Sequence, residues 1–341
     1  MQMRDDLGIT TKLENGKAYL EFALPEKIGR LLSALQIEIW EGAEGERLVF
    51  HGEYSSEEAD SMTALLLRPH LWDGMRDPYV YLVKAQGRFR TMEDGEKTGG
   101  TRNEEESDPA EDITEAEDVY WQQELAIYDV RVIDKKGIFL NEKEFLLREV
   151  SYRLPPQISD VGTQEAQMKR DLERLVRMGV NVIRLEGTGT GAEGVNCSEV
   201  RTFYSLCRKR GFLTGDLWIR PENLPVYRGL SGETTCQALL AADGRTLTER
   251  YYYYQAKWSS EPVLYPVLST LHRQENGLLS LTIYSNQKKV VLYVDGLLFL
   301  FQTATSGDPE FIFEDIPVEK LPLHLAVEAG NLSISLTVTK L

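Results

Sequence analysis

Short stretches in which apolar and polar residues alternate dominate the first third of the chain. Residues 18–23 read Ala-Tyr-Leu-Glu-Phe-Ala, and residues 35–40 read Leu-Gln-Ile-Glu-Ile-Trp. A period of two places alternate side chains on opposite faces of a β-strand. Similar short runs follow as far as residue 85 and are separated by turn residues, which is typical of a β-sandwich. We therefore expect an immunoglobulin-like β-sandwich over residues 1–134.

Residues 91–118 interrupt this pattern. They show no apolar periodicity, and residues 104–118 contain nine acidic residues and no basic one. Because like charges repel one another, we interpret the segment as a solvated acidic loop between two strands of a hairpin. A cation-binding loop is the alternative, although the segment lacks the alternating ligands and the glycine spacing of a calcium loop.

The middle of the chain has a different period. Residues 163–178 and 198–209 place apolar side chains at helical spacing, and each stretch is followed by a glycine. Apolar strand candidates lie at 145–152, 180–185 and 212–219. A strand–helix–strand–helix–strand order with short connections predicts a parallel sheet with right-handed crossovers.

The last third of the chain reads as β-structure again. Residues 221–250 are loop-like, with a short helix around 235–241, and strand patterns begin at Tyr251. Six apolar runs follow, and Val294-Asp295-Gly296 marks a tight hairpin. We expect a second immunoglobulin-like β-sandwich over residues 251–341.

Composition and charge restrict the possible partners. The chain has 341 residues, with 38 basic and 54 acidic side chains, and a formal net charge of −16. This balance argues against nucleic acid and against anionic membranes, since both attract basic surfaces. No apolar run is long enough to span a bilayer, and the first residues lack the apolar stretch of a signal peptide. We expect a cytoplasmic protein.

The residue types that commonly hold metals are sparse and scattered. The three cysteines are Cys197, Cys207 and Cys236, and no two of them form a CxxC pair. An odd number of unpaired cysteines is typical of a reduced, cytosolic protein rather than of a disulfide framework. The four histidines form no cluster with the cysteines, so we expect neither a metal nor a cofactor.

Three stretches resemble a known family. Residues 69–81 read PHLWDGMRDPYVY, residues 137–184 contain GIFLNEK, LREV, DL and MGVNVIR, and residues 251–262 read YYYYQAKWSSEP. In this order they resemble glycoside hydrolase family 2, the family of β-galactosidase and β-glucuronidase. The resemblance implies an immunoglobulin-like domain, the entry to a (βα) barrel and a C-terminal sandwich.

The catalytic residues of that family have no counterpart here. The resemblance implies two glutamates at the ends of later barrel strands, one acid/base and one nucleophile, about 5 Å apart in a retaining enzyme. Only three strand candidates precede the C-terminal part, and the family's Asn-Glu dipeptide is absent from the expected region. We therefore expect a truncated barrel remnant of about three strands over residues 135–250, with no catalytic residue carried over.

A few residues near the ends of the barrel strands remain candidates for ligand binding. They are Arg184, Glu186, Asp216 and Trp218. Arg184 matches the family pattern, although a structural ion pair with Glu186 or Asp216 is the simpler interpretation. Glu186 and Asp216 lie near the ends of adjacent strands, so a new acid/base pair is the sharper alternative.

The sequence leaves three functional hypotheses. The first is a degenerate family 2-like protein that is non-catalytic and acts in carbohydrate binding or scaffolding. Carbohydrate, a second copy of the chain or a partner chain that covers the open barrel edges would be its partners. The second is an active, β-galactosidase-like glycosidase with a rebuilt or partner-completed site. The third is a folded deletion product without activity.

Overall fold

The computed structural model describes residues 7–24, 32–55, 62–89, 118–155, 161–186, 197–214, 226–228, 238–241, 243–305 and 307–340. The chain divides into two compact units, Met1–Leu146 and Leu147–Leu341. Most of the acidic loop, Asp216 and Trp218 lie outside the described residues. No helix in the described segments has the length and apolar character needed to cross a membrane.

In its described residues, the first unit contains ten strands. They are β1 (Gly8–Glu14), β2 (Lys17–Ala23), β3 (Leu32–Glu41), β4 (Arg47–Ser55), β5 (Thr63–Leu67), β6 (Tyr81–Phe89), β7 (Val119–Leu125), β8 (Val130–Ile133), β9 (Gly137–Leu140) and β10 (Lys143–Glu144).

Two antiparallel sheets of this unit share one hydrophobic core. One has the order β1-β2-β5 and the other β4-β3-β6-β7. The alternation in the sequence explains the packing, since Leu20 and Ile37 are buried while Tyr19, next to Leu20, is exposed. The predicted β-sandwich character of this region is confirmed.

A small third sheet with the order β10-β9-β8 follows the sandwich. Asn141, in the turn between β9 and β10, accepts a hydrogen bond from the backbone N–H of Asp129 and donates one to the carbonyl of Trp72. These two bonds tie the turn to buried Trp72.

The second unit begins with a parallel sheet and its helices. The elements are β11 (Glu149–Tyr152), α1 (Val161–Met178), β12 (Val182–Leu185), α2 (Cys197–Lys209), β13 (Leu213–Thr214), β14 (Val226–Arg228), β15 (Ala238–Leu240) and α3 (Glu249–Trp258). The predicted β-α-β-α-β order is present, with all strand pairs parallel.

Three expectations for this region were wrong. Among the described residues the sheet has five strands, in the order β13-β12-β11-β14-β15, because β14 lies in a stretch that reads as loop and β15 lies where a short helix was expected, around 235–241. Each has only three residues, which is too short to produce a periodic pattern. Residues 249–258 form helix α3 instead of continuing as β-structure, although four successive tyrosines favour strands.

Helix α3 packs against the end of α1 at Gly179. Gly179 has φ +88°, and a Cβ atom there would lie 2.5 Å from the carbonyl oxygen of Trp258. Arg148 donates to the same carbonyl oxygen at 2.6 Å. The glycine predicted to stop α1 therefore also permits the close approach of α3.

Seven further strands follow α3 in the described part of the second unit. They are β16 (Leu264–Arg273), β17 (Leu279–Ser285), β18 (Lys289–Val294), β19 (Leu297–Thr303), β20 (Glu310–Ile316), β21 (Leu323–Ala329) and β22 (Leu332–Val338).

These strands form two antiparallel sheets, β16-β17-β20 and β19-β18-β21-β22, around a common core. Asp295 and Gly296 both have positive φ in the turn between β18 and β19, so the predicted hairpin is confirmed. Strand β19 pairs only with β18 in the described structure, and Leu297, Leu298 and Phe301 are exposed on it.

Candidate functional site

The parallel sheet presents an apolar face to the helices. Val150 and Tyr152 of β11 and Ile183 and Leu185 of β12 belong to one buried cluster with the apolar stripes of α1 and α2. These residues alternate along their strands, so the intervening side chains point to the opposite face.

The opposite face carries charge. Glu149 and Ser151 of β11 lie on it, together with Arg184 of β12, which pairs in register with Ser151. Arg153 and Glu186 follow at the carboxyl ends of the same two strands. In parallel α/β sheets, the carboxyl ends of the strands are the usual place for ligands.

Glu149 and Arg184 form a buried ion pair. Arg184 Nη2 lies 2.7 Å from Glu149 Oε1, and the exposed fractions of the two side chains are 16% and 2%. Burial raises the pKa of the Glu149 carboxyl, and the neighbouring Arg184 opposes part of that rise. Glu149 Oε2 is buried without a hydrogen-bond partner in the described structure.

A second pair lies at the strand ends. Arg153 Nε is 2.7 Å from Glu186 Oε2, and the two side chains are about two thirds buried or more. The backbone N–H of Glu186 donates to the carbonyl of Tyr152 at 2.8 Å, which fixes Glu186 beside the end of β11. Two candidate residues, Arg184 and Glu186, thus lie on neighbouring positions of one face, and each contacts an opposite charge.

Asp171 on α1 organises a buried polar network on the helix side. Its carboxylate accepts hydrogen bonds from the hydroxyls of Tyr152 and Tyr227 at 3.0 Å each and from Gln167 at 2.8 Å. Asp171 is fully buried, and Arg174 Nη1 lies 3.8 Å from it. Burial and then the charge of Asp171 raise the pKa of the Tyr227 hydroxyl. The network connects β11, β14 and α1.

Sequence reasoning did not select Glu149, Arg153 or Asp171 as site residues. A charged residue inside a buried apolar strand, such as Glu149 within LREVSY, was the available signal. The proposed proximity of Glu186 to Asp216 stays a prediction, because Asp216 is outside the described residues. In the described segments, no three His, Cys, Asp or Glu side chains group together as a metal site would require.

Comparisons with known proteins bear on the fold. No family profile and no curated protein sequence matches the chain. Among solved structures, an FMN-binding β-glucuronidase from Faecalibacterium prausnitzii L2-6 is similar at TM-score 0.67 and 13% identity, over 98% of this chain and 73% of that one.

Two further solved structures are similar to the chain over nearly its whole length. A glycosyl hydrolase family 2 member from Bacteroides cellulosilyticus DSM 14838 is similar at TM-score 0.60 and 12% identity, over 98% of this chain and 63% of that one. A putative β-galactosidase from Bacteroides fragilis is similar at TM-score 0.57 and 13% identity, over 97% and 72%.

The chain has the fold of glycoside hydrolase family 2. The resemblance seen in the sequence motifs is thereby confirmed at the level of the fold. The chain spans 63% to 73% of the length of these three structures.

Proposed function

We propose that the chain is a non-catalytic, cytoplasmic protein of the family 2 fold that acts in carbohydrate binding or scaffolding. The observation that supports this most directly is the pairing of Glu149 with Arg184 and of Glu186 with Arg153. In each pair the carboxylate contacts a guanidinium group, so both glutamates on this sheet face are engaged in ion pairs.

The offset between the backbone positions of Glu149 and Glu186 also opposes glycoside hydrolysis. Glu149 is in register with Val182, four residues before Glu186, which corresponds to roughly 13 Å along the strand. A retaining enzyme needs its two carboxyl groups about 5 Å apart, and an inverting enzyme needs about 6.5–9.5 Å. Among the described residues, this sheet face therefore offers ion pairs rather than an acid/base pair.

We interpret the parallel sheet as a truncated barrel remnant between two immunoglobulin-like sandwiches, with parts at 1–134, 135–250 and 251–341. Strands β13 and β15 are its edges in the described structure. An open parallel sheet leaves backbone groups at its edges for pairing. A second copy of the chain or a partner chain at these edges would give the protein a scaffolding role.

Hydrolysis assays with nitrophenyl β-galactoside and nitrophenyl β-glucuronide test the proposal. We expect no turnover above that of a heat-denatured sample at any pH from 4 to 8. A glycan array run with the same preparation tests the carbohydrate-binding part of the proposal. Turnover by the wild type that Glu186→Gln abolishes would overturn the non-catalytic interpretation.

An active glycosidase with a rebuilt site is the second candidate. It is favoured by Glu149, whose pKa is raised by burial and whose Oε2 has no hydrogen-bond partner in the described structure. A carboxyl group with a raised pKa is suited to general-acid catalysis. If this candidate is correct, Glu149→Gln removes the turnover while Glu173→Gln, an exposed acid on α1, leaves it unchanged.

A further inference from the structure

On the outer face of the sheet β4-β3-β6-β7, polar side chains form rows across the strands. Gln36, Gln86 and Tyr120 form one row across β3, β6 and β7, as the strand register shows. Glu38, Lys84 and Gln122 form the next row. The intervening residues of these strands point into the hydrophobic core of the first unit.

An open depression of about 460 Å³ lies on these rows. Its lining residues are Gln36, Glu38, Lys84, Ala85, Gln86, Tyr120, Trp121 and Gln122. Ligand sites for small molecules are typically concavities of about 300–1,000 Å³. The depression therefore has the size of a site for one or two sugar rings.

The amide groups of the depression have unused hydrogen-bonding capacity. Gln86 Nε2 donates to Asp118 at 2.7 Å and to the Tyr120 hydroxyl at 3.2 Å, but its Oε1 has no partner in the described structure. Gln122 is exposed, and its side chain makes no hydrogen bond with any described residue. Since an amide is both donor and acceptor, such groups match the hydroxyls of a sugar, which also act as both.

An aromatic ring is available beside these amides. The Tyr120 side chain is 46% exposed, and its hydroxyl is held by Gln86 and, at 3.5 Å, by Asp118. The ring is thus oriented by polar contacts while a large part of it stays open to solvent. An amphipathic ring of this kind can pack against the C–H face of a pyranose.

The charges of the depression compensate each other. Glu38 lies opposite Lys84 in the register, and Glu38 also accepts a hydrogen bond from Trp40 Nε1 at 2.9 Å. Lys84 Nζ lies 5.0 Å from the centre of the Trp40 ring. Next to the lining residues, Glu53 pairs in register with Gln36 and Asp118 accepts a hydrogen bond from Gln86; these two carboxylates disfavour an anionic ligand.

We propose that this depression, on the face formed by β3, β6 and β7, is a binding site for a neutral oligosaccharide. Tyr120 provides the stacking surface, and Gln36, Gln86 and Gln122 provide the hydrogen bonds. This proposal deepens the carbohydrate-binding function proposed above and rests on it. The site lies in the first unit and uses none of the residues of the parallel sheet.

Calorimetric titration of the full chain tests the proposal. The probes are neutral tetrasaccharides of glucose, galactose, mannose and xylose and, as an anionic arm, an oligosaccharide of glucuronic acid. We expect the wild type to bind at least one neutral probe and the anionic probe at least tenfold more weakly. Tyr120→Ala should weaken binding by about tenfold or more, and Gln122→Ala by about threefold to tenfold.

Tyr19→Ala is the matched control. Tyr19 is an exposed tyrosine on β2, in the other sheet of the sandwich, so its removal should leave binding unchanged. Thermal melts verify that each variant is folded. If Tyr120→Ala fails to fold, Gln122→Ala still tests the site, because the exposed Gln122 side chain makes no hydrogen bond with any described residue.

The outcomes separate the two proposals. Binding by the wild type that survives both Tyr120→Ala and Gln122→Ala overturns this site but leaves carbohydrate binding intact. Preference for the anionic probe also overturns the site as proposed. A wild type that binds no probe at all contradicts carbohydrate binding itself, and the site with it.

Discussion

Four ionisable side chains on β11 and β12 form two ion pairs that differ in burial. The pair of Glu149 and Arg184 is almost fully buried, whereas that of Arg153 and Glu186 keeps about a quarter to a third of each side chain exposed. A buried charge that loses its partner costs several kcal/mol, whereas a partly exposed one is compensated by water. The two pairs should therefore respond differently when the arginine is removed.

Arg184→Met is expected to destabilise the protein by roughly 3 kcal/mol at pH 7.5, and by less at pH 4. Burial already raises the pKa of Glu149, and the variant loses the arginine that opposes this rise. Below its pKa in both states Glu149 is neutral, so the penalty is small there. As the pH rises, the unfolded chain releases the proton of Glu149. The folded variant must either keep that proton or bury an uncompensated carboxylate, so its free energy of unfolding falls. Urea unfolding at both pH values measures the difference.

Arg153→Met is the control for this experiment. Because Glu186 is partly exposed, we expect a loss of about 1 kcal/mol or less with little dependence on pH. An Arg184→Met penalty equal at pH 4 and pH 7.5 would show that the contribution of Arg184 is packing and not charge.

At the scale of elements, helix α3 shows where local pattern and tertiary packing disagree. Its tyrosines favour a strand, yet the Tyr251 hydroxyl donates to the carbonyl of Arg174 at 2.7 Å, and Tyr252 stacks on Tyr265 with ring centres 3.8 Å apart. These contacts join α3 to α1 and to β16. The first contact joins residues 77 positions apart in sequence, so no local rule could have predicted it.

Gly179→Ala is expected to destabilise the second unit by about 2–3 kcal/mol. The new Cβ would combine an unfavourable positive φ with a backbone clash at Trp258, so α1 and α3 would have to separate. Gly296→Ala, in the same unit at φ +80° with nothing within 4 Å of the new Cβ, isolates the backbone cost and should lose only about 1 kcal/mol. Equal losses in thermal melts would rule out the close approach as the cause.

Strand β19 is an apolar edge. Leu297 and Leu298 are 76% and 59% exposed, and the strand pairs with β18 on one side only in the described structure. Exposed apolar edge strands promote intermolecular pairing, and a lysine there opposes it. We expect Leu298→Lys to raise the concentration at which light scattering detects aggregates. Leu146→Lys, at an exposed leucine outside any strand, should not.

For the whole molecule, the spacing of apolar residues along the sequence predicted more of the structure than the positions of the charged residues did. The alternation in β2 and β3 and the helical stripes of α1 and α2 correspond to buried faces that the structure contains. The ion pairs could not be predicted, because the partner of Arg184 depends on the register between β11 and β12. Three-residue strands such as β14 are found only when their neighbours are known.

The net charge of −16 gives a prediction at this scale. Repulsion among like charges destabilises a compact state, and salt screens it. We expect the melting temperature to rise by a few degrees when sodium chloride increases from 20 to 300 mM at pH 7.5. A melting temperature that falls under these conditions would mean that attractive pairs outweigh the net repulsion.

The strand order of the parallel sheet has a consequence for how the chain folds. Ser151 of β11 pairs with Arg184, about 33 positions away, and with Val226, about 75 positions away. By loop-closure entropy alone, the second contact costs about 0.7 kcal/mol more than the first, and β13 and both helices can assemble without it. We expect β14 to join last, so that pulse-labelled hydrogen exchange protects the amides of β12 before those of β14. Strand β11, which is central in the finished sheet, would then be an edge strand during part of folding, and its unpaired backbone groups could pair with a wrong strand.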